Sequence, residues 1–115
     1  MPYQFVDRLT HLEIRLEGVI DDGLVIEEDV VARVGELRRV LIDYSAVTEI
    51  RLDPLVPAGA ARRQQAAGVK VAVYAPRPAM FGFNRQVLQL AGVREGVTAS
   101  VFSDLAEARA WLLAG

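Results

Sequence analysis

The run Val40-Leu41-Ile42-Asp43-Tyr44 does most to limit what this chain can fold into. It is short, rich in β-branched and aliphatic residues, and shows neither a wet face nor helical spacing. Such a segment reads as a strand covered on both sides, which places it inside a sheet rather than at its rim. Segments with helical spacing stand before and after it. Upstream, Ile26, Val30, Val34 and Leu37 recur at that spacing, with Glu27, Glu28 and Asp29 in the first turn, where acidic groups complement the helix dipole. Downstream, Asp53-Pro54 looks like an N-cap followed by proline at the first helical position, with Pro57 a second possible start; the helix runs to about Ala67 and is closed by Gly68.

The same alternation continues. Val69, Lys70, Val71 and Val73 read as a second inner strand ending at Tyr74-Ala75-Pro76. After Pro78 a helix carries Met80, Phe83, Val87, Leu88 and Ala91 and stops at Gly92. Val97 to Phe102 reads as the last strand. Asp104-Leu105-Ala106-Glu107 resembles a capping box, and Leu105, Ala108, Trp111 and Leu112 form the apolar stripe of a terminal helix. Ahead of all this, Tyr3 and Phe5, then Leu12, Ile14 and Leu16, alternate with polar residues as an opening hairpin does, Glu13, Arg15 and Glu17 forming its wet face. Strands joined through helices pair in parallel, and the hairpin adds antiparallel character. The expected fold is a single α/β domain over residues 1–115, with a mixed, mainly parallel sheet of four to five strands layered with about four helices.

Composition narrows the function. Apolar residues make up 52% of the 115, ample for a packed core, and the net charge of −2 argues against nucleic acid as the main partner. Twelve of the thirteen basic residues are arginines; Lys70 is the only lysine. With no cysteine, disulfide and thiolate chemistry are excluded, which fits the cytoplasm. The first residues have no secretory-leader pattern, and no apolar run approaches the roughly 20 residues that cross a bilayer, so membrane insertion is not expected.

Few residues suggest catalysis. There is no phosphate-cradling glycine loop before a lysine, no dinucleotide fingerprint and no serine elbow. His11 is the only histidine, which rules out a two-histidine metal site within one chain. It is expected at a solvated turn, without a catalytic partner. Asp43 at the end of the central strand and Asp53 at the next helix start are the one carboxylate pair worth weighing as an enzyme site; capping and backbone binding are the commoner roles for both. Arg62-Arg63 reads as a solvated helix face. The segment from Pro76 to Arg85 is richer, with Arg77, Met80, Phe81, Phe83 and Arg85 around a strand-to-helix junction. Phe81 and Phe83 are two apart and cannot share one helix face, so one of them is a candidate for a pocket or an interface.

The run from Val40 to Ile50 resembles the strand-loop signature of STAS domains, which are named for sulfate transporters and anti-sigma-factor antagonists. Gly68-Val69-Lys70-Val71-Ala72-Val73 and Val101-Phe102-Ser103-Asp104 fit that pattern, and Phe81-Gly82-x-x-Arg85 with Ala110-Trp111-Leu112 is similar to the small bacterial SpoIIAA-like proteins. The resemblance implies a regulatory or interaction module without a cofactor or metal, binding a protein partner or a second copy of itself. In regulatory STAS proteins a serine in an Asp-Ser-Ser-Gly motif is phosphorylated to switch partners. Counting from Asp43, that position falls on Asp53, within Arg51-Leu52-Asp53-Pro54-Leu55, where no hydroxyl is available and the negative charge is fixed. The expected binding surface is therefore the Asp53 helix start with the junction from Arg77 to Arg85. Binding of an apolar or lipid-like small molecule at Phe81–Arg85 is the first alternative, and an enzyme built on Asp43 and Asp53 the second.

Overall fold

The computed structural model describes residues 2–114 of the chain. The elements run β1 (Tyr3–Asp7), β2 (Leu12–Ile20), α1 (Glu28–Leu37), β3 (Arg39–Ile50), α2 (Leu55–Ala66), β4 (Lys70–Tyr74), α3 (Pro78–Ala91), β5 (Ala99–Phe102) and α4 (Leu105–Leu113). The five strands lie in one sheet in the order of the sequence, β1-β2-β3-β4-β5. β1 and β2 are antiparallel and all later pairs are parallel. The run Val40–Tyr44 thus lies in the middle strand, as its unbroken apolar character requires.

This order determines where the helices go. Each parallel crossover moves one strand in the same direction, and right-handed crossovers then deposit every connecting helix on one face. Accordingly Val30 and Val34 of α1, Ala58 of α2, and Met80, Val87, Leu88 and Ala91 of α3 share one core with Leu12, Ile14, Leu16, Val40, Val71 and Val73. α4 follows the last strand and makes no crossover, so it is free to cover the opposite face. There Ala108 and Leu112 close over Leu41 and Ala72, flanked by half-buried Tyr74, Phe102, Leu105 and Trp111. The Trp111 ring tilts against Phe102, centroids 5.6 Å apart, and stacks beneath the Lys70 ammonium at 4.3 Å. Lys70 Nζ also donates to the carbonyls of Trp111 (2.6 Å) and Ala114 (2.9 Å), neutralising the negative end of α4.

Two strand boundaries differ from the sequence reading by more than one residue. β3 does not stop at Tyr44 but continues to Ile50 alongside β2. Its register against β2 slips between Asp43 and Ala46 and again between Val47 and Glu49, each slip adding one residue to β3. These bulges keep Tyr44, Val47 and Ile50 on the same core face at a spacing of three, which hides the strand from a period-two search. β5 begins at Ala99 rather than Val97, which is exposed in the preceding turn.

The two rims of the sheet differ. Beside β5, Glu95 forms a bridge with Ala99, Gly96 N–H donates to Ala99 O (2.8 Å), and Glu95 Oε1 accepts from Val101 N–H (3.4 Å). β1 has β2 on one side and no strand on the other among the described residues.

Candidate functional site

Asp53 is exposed just before α2, and its Oδ1 accepts the Leu55 N–H at 2.9 Å. It therefore holds the first turn of α2 while keeping its charge in water. Leu55 and Val56, which follow it, are each 57% exposed, unusual for two adjacent aliphatic residues at a helix start. α2 buries only Ala58 fully, and Arg62 and Arg63 are on its solvated side. Glu49 and Arg51 pair at 3.0 Å just ahead of the same turn.

At the second predicted segment, Arg77 is extended and exposed, and Pro78 opens α3. Phe81 is half-buried; with Pro76, Pro78 and Ser103 it borders a shallow hollow of about 250 Å³. Arg85 is exposed with its guanidinium 5.8 Å from the Phe81 ring centre and 3.1 Å from Glu95. Phe83 is also half-buried and, like Phe81, packs on the three-helix core. One turn further in, Asn84 is buried and donates to the Met80 carbonyl (2.9 Å). Burial pushes the neighbouring Tyr44 hydroxyl up to about 12, with a hydrogen bond from Asn84 opposing the shift.

Asp43 is not brought to Asp53. It lies within β3, where its Oδ1 accepts the Ser45 N–H across the first bulge (2.7 Å), and it faces the α4 side of the sheet. Asp53 opens α2 on the other side, after seven further strand residues that span on the order of 20 Å. The carboxylate-pair enzyme has no geometry to support it. α2 and α3, by contrast, pack against each other on one face, so Asp53 and the Arg77–Arg85 segment belong to the same side of the sheet.

The polar centre that the sequence did not reveal is on the α4 side. His11, read as a solvated turn residue, is 4% exposed. Its Nε2 is 2.7 Å from Glu13 Oε2 and its Nδ1 is 2.9 Å from Thr10 Oγ1. A carboxylate only accepts, so Nε2 carries the proton and the ring is held at both ends. Arg109 of α4 completes the group, its Nε and one terminal nitrogen each donating to Glu13 at 2.9 Å. Burial raises the Glu13 carboxyl, but the hydrogen bonds from Arg109 and His11 outweigh it and hold the group below the ordinary carboxylate range. Beside this clasp, Gln4, Val6, Arg15, Asp43 and Leu105 border a groove of about 320 Å³ that α4 leaves open over β1 and β2. Sequence alternation put Glu13 on the face away from the three-helix core, but its side chain is only 12% exposed rather than wet, and nothing local links it to an arginine 96 positions away.

No protein-family model matches the chain, and no curated protein matches it. Among solved structures, the chain is similar to an uncharacterized DUF3478-family protein with a SpoIIAA-like fold from Shewanella loihica PV-4. The two are 14% identical with a TM-score of 0.55, and the match covers 96% of this chain and 91% of the other. A crystal structure of Mglu matches 65% of this chain at 27% identity and a TM-score of 0.51, and the chain spans only 20% of the length of that protein. The fold is SpoIIAA-like, with its mixed five-stranded sheet and four helices.

Proposed function

We propose that the chain is a single STAS-like interaction domain that acts without catalysis or cofactor, in the cytoplasm, by presenting the start of α2 to a protein partner. The observation that carries this reading is the exposed pair Leu55–Val56 immediately after the fixed charge of Asp53. Exposed aliphatic side chains beside a charge suit a partner that supplies an apolar patch and a cation. The hollow at Phe81 supports the same choice over a small-molecule binder, since a drug-sized ligand is normally enclosed in a deeper pocket. The sole histidine is engaged by Thr10 and Glu13 rather than aimed at either surface. No helix among the described residues is long and apolar enough to cross a membrane.

The test is native mass spectrometry of the chain purified from its own cell extract, with Leu55→Glu and Asp53→Lys in parallel. A protein bound to the wild type and lost from both variants is the expected result. A retained small molecule would move the reading to the ligand-binding alternative. Undiminished partner binding by both folded variants would place recognition elsewhere.

A further inference from the structure

The open rim of the sheet has a hydrogen-bonding pattern of its own. In the β1–β2 hairpin every residue pair sums to nineteen, as in Tyr3 with Leu16 and Asp7 with Leu12. Glu17 N–H donates to Pro2 O at 2.8 Å, and Arg8 N–H donates to His11 O at 3.0 Å. These two bonds, one at each end of the hairpin, place the hydrogen-bonded pairs at even positions of β1. Antiparallel ladders alternate strictly, so Gln4 and Val6 direct their backbone groups at β2. Tyr3, Phe5 and Asp7 must then direct theirs outward, where no strand pairs with them among the described residues.

We propose that β1 pairs antiparallel with β1 of a second copy of this chain, about a two-fold axis through Phe5. Centred there, Phe5 exchanges both backbone bonds with its own copy, and Tyr3 does so with Asp7 of the other chain. All three outward positions are matched with none left over, which is the self-complementarity that a two-fold contact demands. The side chains agree with this register. Phe5 meets Phe5, Gln4 meets Val6, and Asp7 meets Tyr3, so no like charges stand opposite. Phe5 and Val6, on opposite faces of the strand, are 48% and 50% exposed. Leu9, just beyond, is 78% exposed and sits at φ 68°, a backbone conformation that disfavours leucine.

Short length and the charge of Asp7 are the strand's only rim protections: it has no bulge, no lysine and no proline within it. At β5, by contrast, Glu95 and Gly96 already occupy the outward Val101 amide and Ala99 carbonyl. With one rim taken and one free, pairing closes at two chains and cannot propagate into a fibre. The surface is distinct from the α2 start, so the two proposals fail independently.

The short strand implies a reversible dimer, measured as mass against concentration from about 1 µM to about 1 mM. Twice the 12.6 kDa chain mass is expected at the upper end. Phe5→Glu and Phe5→Arg should each weaken pairing at least about tenfold through like charge across the axis. Mixing the two variants should restore a dimer, because residue 5 faces residue 5. Hydrogen exchange reads the register directly: Tyr3, Phe5 and Asp7 amides should become protected as concentration rises, while Gln4 and Val6 amides of the folded hairpin are protected throughout. A monomer at all concentrations overturns the proposal. So does a dimer that survives Phe5→Glu, a mixture that does not pair, or concentration-independent exchange at Phe5.

Discussion

The two faces of the sheet solve the same burial problem with different means. One is closed by three helices over an apolar core from Tyr3 to Val101, with polar ties at its α1 end, where Arg33 pairs with Asp7 (2.7 Å) and the Tyr3 hydroxyl accepts the Glu27 N–H (3.0 Å). The other has a single helix, which fully buries only Ala108 and Leu112 against Leu41 and Ala72. That helix is held largely by polar contacts at two points: Arg109 on Glu13 toward β2, and Lys70 on the helix end toward β4. The strand order explains the asymmetry, since right-handed crossovers commit α1 to α3 to one side and leave α4 alone on the other. A face built from many small apolar contacts resists opening as a unit. A face pinned by a few directional contacts can be loosened one contact at a time, and its open half already forms the groove over β1 and β2.

The largest expected effect is on the three-helix face. Leu12→Ala, at a fully buried side chain, should cost about 3–5 kcal/mol, read from the shift in urea midpoint at constant slope. Leu112→Ala removes an equally buried leucine from α4 and should cost about 2–3 kcal/mol. It should also deprotect α4 amides selectively in native-state hydrogen exchange; an equal loss of protection over α1 to α3 would erase the distinction between the faces. His11→Ala breaks the clasp from the sheet side and should cost about 2 kcal/mol. An unchanged midpoint would mean that the ring is solvated after all. Glu13→Gln keeps the shape and removes the charge, with an expected loss of about 1 kcal/mol at neutral pH. Because the folded Glu13 carboxyl is held below its ordinary value, its contribution is complete above that ordinary value. It fades as the pH falls through the depressed folded value. The wild-type advantage over Glu13→Gln should therefore vanish in acid, and a gap independent of pH would assign the clasp to packing.

The architecture was legible because it rests on local periodicity. The unbroken run at Val40–Tyr44, the acidic first turn of α1, Pro78 at the start of α3 and the capping Asp104, which accepts the Glu107 N–H at 2.9 Å, each identify an element from neighbours in the chain. The bulges of β3 were not legible, since they replace a spacing of two by three and depend on the register with β2. The clasp escaped for a different reason. His11 looks like a turn residue because it adjoins the Leu9–Thr10 turn, yet its ring is buried and held by Thr10 and by Glu13, which Arg109 of α4 clasps in turn. Trp111, expected to be a buried anchor of α4, is half-buried and works partly as a surface under Lys70. Of the surface residues, the exposed pair Leu55–Val56 was present in the sequence but carried no signal, since α2 has little amphipathic pattern to separate its sides.

Lys70 has one more consequence, for chemical reactivity. It is the only lysine, so amine-directed acylation of this chain has a single side-chain target. Its ammonium is occupied by two carbonyl oxygens and the Trp111 ring, so an acylating reagent must wait for α4 to lift before it meets a free amine. Once acylated, the nitrogen can no longer bring a positive charge to the helix end, and the lifted state is favoured. One lysine thus makes the chain its own recorder: the rate at which the acyl group appears on the Lys70 peptide, apart from any on the α-amine, reports how often the terminal helix leaves the sheet.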